Sequence, residues 1–340
     1  MGIIAAVQTP AIYLDAMACA RRAAERIAEA ADHGAWLAVF PESFIPGDPL
    51  YHHYTLPYTE PFLALERRFA EQAITVPGLE TDCIAAACRA HHLTVAIGVT
   101  ERPARTGTLY NTLLYFGPDG TILGRHRKLM PTFSERMVWG MGDGTTLRVI
   151  ETPQGIVGGL ICWENFMPLA RTVLYAQGEQ IHVAPTLNHG SERWLAAMRQ
   201  IANEGRMWVV SVSTLLRESD LPADVAALGL FEKGSVLNTG GSVIVNPQSE
   251  IVAGPAFGDE TILYAEAEMA ETLNAKRMFD AVGHYGRGDL FGLTLRGVEI
   301  PLQVGDSSPM TQLSDLVWRV PHPQGDAAAT LPAGEGERDR

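Results

Sequence analysis

A chain of 340 residues, 46% hydrophobic and 19% charged, has the balance of a globular enzyme with a sizeable core, which excludes a fibrous or wholly disordered polymer. Its formal net charge of -13 gives a surface that repels nucleic acid and anionic membranes, and no Lys/Arg-rich run offers a local exception. Small-molecule chemistry is the expectation.

Residues 1–9 are apolar but carry no basic leader and no cleavage pattern, so Ile3 to Gln8 reads as a first buried strand of a cytoplasmic protein. Leu14, Met17, Ala24, Ile27, Ala28 and Ala31 then recur at helical spacing until Gly34 stops the helix. Trp36 to Phe40 is the next buried strand, ending at Pro41-Glu42-Ser43. A long loop rich in Pro, Gly and aromatic residues is expected from Phe44 to Pro61, a length that suggests function. Two helical stretches follow, the second from Glu80 to His91, with Cys83 and Cys88 as small packing residues. Strands at Thr94 to Thr100 and Leu109 to Phe116 lead through the turn Gly117-Pro118-Asp119-Gly120 into a hairpin with Thr121 to His126.

Leu147 to Glu151 and Ile156 to Ile161 form another predicted hairpin around Pro153-Gln154-Gly155, and the second strand delivers Cys162 at its end. A helix from Pro168 to Gln177 closes on Gly178. Ile181 to Ala184 reads as strand, Glu192 to Gly205 as helix and Trp208 to Ser213 as strand, with a hairpin through Asn246-Pro247. From Glu268 the pattern is a short helix and then irregular, and the Pro-, Gly- and Ala-rich residues 321–340 read as a disordered tail. No apolar run reaches the roughly 20 residues that span a bilayer, so no membrane partner is expected.

Four cysteines without paired spacing point to free thiols in a reducing compartment. Ten histidines include no H-E-x-x-H arrangement, and no C-x-x-C occurs, so no metal site is expected. Cys162 stands where the strand led by Gly158-Gly159 gives way to Trp163-Glu164-Asn165 before a helix. Such a turn exposes a nucleophile, and the helix N-terminus would stabilise its thiolate. No papain-like or caspase-like histidine signature accompanies it, which leaves a carboxylate to activate the thiol. Glu42, at a buried strand end, is placed to accept and return a proton near neutrality. Lys128, after the strand ending at His126, would stabilise thiolate and developing negative charge if it faced Cys162, with Glu135 pairing and holding it. Taken singly, each has an ordinary reading: a structural cysteine, a solvated surface glutamate, a basic turn residue.

Taken in order, Phe-Pro-Glu-Ser-Phe-Ile-Pro-Gly, Arg-Lys-Leu-Met-Pro-Thr and Gly-Gly-Leu-Ile-Cys-Trp-Glu-Asn resemble the three motif regions of the nitrilase superfamily. The likeness runs from about residue 3 to 293, through Ala184-Pro185-Thr186 and the late Gly283 to Asp289 segment. It implies an α/β protein of four layers, α-β-β-α, with a catalytic domain over 1–293, an extension over 294–320 and the tail beyond. It implies Glu42 as general base, Lys128 as oxyanion-stabilising cation, Cys162 as nucleophile and Glu135 as the glutamate orienting the lysine, with no cofactor and no metal. The substrates implied are an organic nitrile and water; an amidase or carbamoylase, or a cyanide-hydrolysing enzyme, would use the same triad. Relatives pair through the segment after the nucleophile, so a homodimer or a larger, spiral homo-oligomer is expected. Asp48 replaces an aromatic residue common in relatives, and Asn188 replaces an aspartate. With Tyr51, Trp163, Glu164, Thr186 and His189, they are the candidate pocket residues.

Overall fold

The computed structural model describes residues 2–187, 190–295, 298–300 and 302. In chain order its elements are β1 (Gly2–Gln8), α1 (Ala16–Asp32), β2 (Ala35–Val39), α2 (Tyr51–Tyr54), α3 (Glu60–Gln72), α4 (Leu79–His91), β3 (Thr94–Glu101), β4 (Tyr110–Phe116) and β5 (Ile122–Arg127). The second half carries β6 (Ile150–Thr152), β7 (Gly155–Gly159), α5 (Pro168–Ala176), β8 (Ile181–Thr186), α6 (Glu192–Gly205), β9 (Trp208–Ser213), β10 (Leu215–Arg217), α7 (Ala223–Ala226), β11 (Val236–Val245), β12 (Ile251–Phe257), β13 (Thr261–Ala267), α8 (Met269–Met278), β14 (Leu293–Leu295) and β15 (Val298–Ile300).

The strands make two large sheets. One runs β13-β1-β2-β3-β4-β5 and the other β10-β11-β9-β8-β7-β6, with β12 beside β11. Each has a parallel centre, β1-β2-β3 in one and β7-β8-β9 in the other, flanked by antiparallel neighbours. The last long strand, β13, leaves the second sheet and returns to pair antiparallel with β1.

Side chains alternate across a strand, and here both faces of each sheet are apolar. Ile4 and Ala6 of β1 meet Val210 and Val212 of β9 between the sheets. Ala5 and Val7 face outward against α1 and α4. On α1 the buried stripe is Ala16, Cys19, Ala20, Ala23, Ile27 and Ala30, a 3.6-residue period whose small side chains let the helix lie close to the sheet. On the other side Val209, Val243 and Val245 pack against Trp194, Met198 and Ile201 of α6 and Val173 and Leu174 of α5. The result is the expected four-layer α-β-β-α sandwich. Among the described residues no helix is long and apolar enough to cross a membrane.

The structure departs from expectation at the loop after Glu42. Residues 51–54 coil into the short helix α2, and α3 starts at Glu60, because Tyr51 anchors the segment against the rings of Phe62 and Phe69 at 5.8 and 6.0 Å. The sequence pattern does not mark β10 or β13, and the segment read as irregular after α8 contains the short antiparallel pair β14-β15; residues 321–340 lie outside the described residues.

Glycine at one position decides where Glu42 can sit. The segment 41–45 runs beside β3, with the Gly98 N–H donating to the Pro41 carbonyl at 3.2 Å and the Thr100 N–H to the Ile45 carbonyl at 2.7 Å. A Cβ at Gly98 would stand 2.4 Å from the Pro41 carbonyl oxygen and 2.8 Å from the Glu42 Cα, both backbone atoms that cannot swing aside. Gly98→Ala is therefore expected to cost about 1–3 kcal/mol of stability. Gly107→Ala, with nothing within 4 Å, should be near neutral. Urea unfolding of the two variants checks this, and equal stabilities would contradict it.

Candidate active site

The ends of four strands meet at one edge of the space between the sheets. The chain leaving β2 supplies Glu42, the residue after β5 is Lys128, the turn after β7 holds Cys162, and β8 ends at Thr186. Lys128 is fully buried, and its Nζ donates to Glu42 Oε1 and Glu135 Oε2, each at 2.7 Å. Glu42 Oε1 also accepts from Asn111 Nδ2 at 2.8 Å, and Oε2 accepts from the Leu187 N–H at 2.9 Å. Glu135 Oε2 accepts a second bond from the Thr132 N–H at 2.7 Å, capping the short 3-10 turn Phe133–Met137 that carries it. Thr186 Oγ1 donates to Cys162 Sγ at 3.2 Å.

These groups set one another's charge. Burial alone would push the Lys128 ammonium down, but the carboxylates on either side outweigh it and hold it well above the usual lysine range. Burial raises Glu135 against the pull of Lys128. Burial also raises the Cys162 thiol far above the ordinary range, and Glu42 adds to the rise while Lys128 opposes it. Burial thus favours the thiol over the thiolate, and the helix N-terminus that would stabilise thiolate does not lie at the cysteine. The reason is geometric: Cys162 is only 5% exposed and opens a 3-10 turn, Cys162–Phe166, while α5 begins at Pro168.

Three non-glycine residues adjoining the site hold left-handed backbone, Ser43 at φ 44°, Phe133 at φ 44° and Cys162 at φ 53°. Such conformations cost about 1–2 kcal/mol and persist where surrounding bonds over-determine them. At Cys162 the bonds are visible. Asn165 Nδ2 donates to the Leu160 and Cys162 carbonyls, both at 2.8 Å. Its Oδ1 lies 2.7 Å from His182 Nε2, and His182 Nδ1 lies 2.9 Å from Glu179 Oε1. Because the Asn165 amide spends its donors on two carbonyls, its oxygen must accept from His182. The chain Glu179-His182-Asn165 thus props the cysteine turn from beneath.

Of the residues singled out in the sequence, Glu42, Lys128, Glu135, Cys162 and Thr186 are brought together. Glu164 is placed differently from a pocket wall. One carboxylate oxygen accepts from the Leu129 N–H and the other from the Ile161 N–H at 2.8 Å, and His126 Nε2 lies 3.1 Å away. It ties the residue after Lys128 to the residue before Cys162, and so sets their relative position. Trp163 turns outward, 39% exposed, with its ring edge-on to Phe133 and Phe166 at 5.9 Å. Tyr51 donates its hydroxyl to Glu66 Oε2 at 2.5 Å. Asp48 is buried and close enough to Glu42 and Glu135 to feel their charge. Asn188 and His189 lie outside the described residues. Asn111, Asn165, His182, Glu179 and His126 escaped sequence reasoning, since nothing local marks a strand residue as a partner of a turn far along the chain. Among the described residues no three His, Cys, Asp or Glu side chains are grouped to hold a metal ion.

The family model for carbon-nitrogen hydrolases matches residues 3–277. An aliphatic nitrilase of Sinorhizobium fredii is 43% identical over 294 residues, covering 86% of this chain and 94% of that protein. A bifunctional nitrilase/nitrile hydratase of Lupinus angustifolius is 41% identical over 302 residues, covering 85% of this chain and 84% of that one. The fold is similar to the crystal structure of Saccharomyces cerevisiae Nit3, a member of branch 10 of the nitrilase superfamily, with a TM-score of 0.65 at 22% identity, covering 83% of this chain and 96% of Nit3.

Lys128→Met removes the cation from between two buried carboxylates. Breaking a buried pair in this way costs about 3–5 kcal/mol. Glu135, already raised, loses its main lowering influence and rises further. A carboxyl whose folded pKa exceeds its unfolded value of about 4.3 favours folding at low pH and loses that contribution as pH rises through the folded pKa. The stability deficit of the variant is therefore expected to shrink between pH 8 and pH 5. Denaturant unfolding across that range checks it, and a deficit independent of pH would contradict it.

Proposed function

This chain belongs to the carbon-nitrogen hydrolase family, and from that we propose that it is a nitrilase, converting an organic nitrile and water to the carboxylic acid and ammonia. The observation that carries the reading is a buried thiol enclosed with a carboxylate and a paired ammonium: Cys162 beside Thr186, and Lys128 bonded to Glu42 and Glu135. The kinship to proteins named nitrilases, above 40% identity over most of the chain, supports nitriles over amides as the substrate class.

In the mechanism we propose, Glu42 takes the thiol proton as Cys162 Sγ adds to the nitrile carbon. Burial that favours the thiol over the thiolate couples that transfer to the attack. Negative charge grows on the nitrile nitrogen, where Lys128 would stabilise it in a site that excludes water. Protonation of the nitrogen gives a thioimidate. Water, deprotonated by Glu42, adds to that carbon, and the C–N bond breaks to release ammonia and leave a thioester. A second water cleaves the C–S bond, releasing the acid and returning the proton to sulfur. No step draws on a cofactor. Glu135 acts through Lys128, and Glu164, with both oxygens occupied, acts only on position.

The fate of the tetrahedral carbon depends on the proton supply to nitrogen. If the thiolate leaves first, the product is the amide. Glu164, next but one to the nucleophile, has both oxygens bonded to the Leu129 and Ile161 N–H groups, which leaves Glu42 and Lys128 to supply that proton. Pairing of two chains through the segment after Cys162 finds support in Met167 and Leu169, exposed there at 37% and 68%.

The test is a panel of aliphatic, arylaliphatic and aromatic nitriles with ammonia, acid and amide all quantified. Acid and ammonia are expected in nearly equal amounts, with a minor amide fraction and poor hydrolysis of the matching amides. A kcat/KM for amides well above that of their nitriles would replace this reading with an amidase.

A further inference from the structure

Two buried polar side chains beside the site are left without partners. Asp48 is 2% exposed and His52 4% exposed. Neither carboxyl oxygen of Asp48, and neither ring nitrogen of His52, has a hydrogen-bond partner in the protein. Buried polar groups are paired in the great majority of cases, so four orphan atoms on residues 48 and 52 of one segment, with the Tyr13 hydroxyl near Asp48 also unpartnered, point to an external partner. Both residues lie on the segment that continues from Glu42, where the Asp48 carbonyl accepts from the Leu50 N–H at 2.8 Å as the chain enters α2.

Both also sense the site's charges. Burial, reinforced by Glu42 and Glu135, holds the Asp48 carboxyl well above the usual carboxylate range in spite of Lys128. Burial, reinforced by His53 and Lys128, pushes the His52 imidazole down to about 3. A carboxyl held that high keeps its proton more readily than an ordinary aspartate, and in its protonated form it donates from O–H and accepts at C=O. His52 is a neutral ring with one donor and one acceptor nitrogen.

We propose that Asp48 and His52 form a polar subsite next to Lys128 and Glu42 that takes a neutral hydroxyl on the organic part of the substrate, so that this chain prefers hydroxynitriles to their alkyl isosteres. This rests on the nitrilase reading and narrows it. A carboxylate in that place would meet Glu42 and Glu135. An ammonium would meet Lys128 and exchange its water for carboxylates already bonded to that lysine. An alkyl group would leave the orphan atoms unpaired, which a site built around hydrogen bonds penalises. A hydroxyl both accepts and donates, and matches either residue.

The experiment compares kcat/KM for hydracrylonitrile against butyronitrile, and for the longer hydroxybutyronitrile against valeronitrile. Binding of the same four compounds to Cys162→Ala is measured by calorimetry. The readout is the hydroxyl-to-alkyl ratio, which is independent of total activity. The wild-type ratio is expected at about tenfold for at least one pair, the size of a single well-made hydrogen bond. Asp48→Leu should bring it to within about twofold, Asp48→Asn, which keeps a donor and an acceptor, should retain it, and His52→Phe should lower it without the volume change at Asp48. A wild-type ratio near one in both turnover and binding overturns the proposal, as does a ratio unchanged in both Asp48→Leu and His52→Phe. If no nitrile releases ammonia, the nitrilase reading fails, and the calorimetric ratio alone decides the subsite.

Discussion

An ammonium group with no contact to water is costly to bury, and Lys128 is tolerable in the interior only because two carboxylates hold it at 2.7 Å each. Much of the site follows from that bracket. One cation between two carboxylates leaves the enclosed space with surplus negative potential. That surplus adds to burial in raising both the Cys162 thiol and the Asp48 carboxyl. The same bracket fixes where Glu42 points and why Glu135 sits on a capped turn, since its Oε2 serves both Lys128 and the Thr132 N–H. A nucleophile that favours its thiol form is protected from adventitious oxidation and alkylation, and becomes reactive when an electrophile arrives to draw its proton toward Glu42.

The two-sheet fold supplies what this arrangement needs, which is precision between segments far apart in sequence. Glu42 and Lys128 leave one sheet, and Cys162 and Thr186 leave the other. The Glu164 carboxylate bridges them, bonding the N–H after Lys128 and the N–H before Cys162. Beneath the cysteine, Asn165 pins the carbonyls of Leu160 and Cys162 and is held in turn by His182 and Glu179. Each member of this buried polar chain is bonded to the next, with Glu179 Oε2 left unpartnered at its far end. Its effect here is to hold Cys162 in a left-handed backbone that the residue would not adopt unaided.

The architecture was legible where periodicity is strong. Alternating or continuous apolar runs marked β1, β2, β3, β4, β8 and β9, and the small-residue stripe marked α1, because each must bury a face against a layer. β10 is three residues long, and β13 lies half-buried at a sheet edge, so neither leaves a clear period. Glu42, Lys128 and Cys162 were legible as strand-end residues in recognisable order. Their surroundings were less so. Burial of the cysteine turn favours the protonated thiol that Glu42 is placed to activate, and α5 begins too far along the chain to lend its N-terminus. Glu164 looked like a pocket residue from its neighbour Cys162, yet its partners Leu129 and His126 are more than thirty positions away. Asn111, within β4, gave no sign at all that it would bond Glu42. Local sequence reports which residues stand at strand ends, but which strand ends meet is a property of the two-sheet packing.

The central claim is that Cys162, activated within this bracket, bonds covalently to the carbon of a nitrile. Intact-protein mass spectrometry during turnover of a slowly hydrolysed nitrile, followed by peptide mapping, tests it most directly. The account predicts a mass increase matching the thioimidate or the thioester, located on the peptide containing Cys162 and lost in Cys162→Ala. An adduct on Cys19, Cys83 or Cys88, or steady hydrolysis by Cys162→Ala, would contradict it.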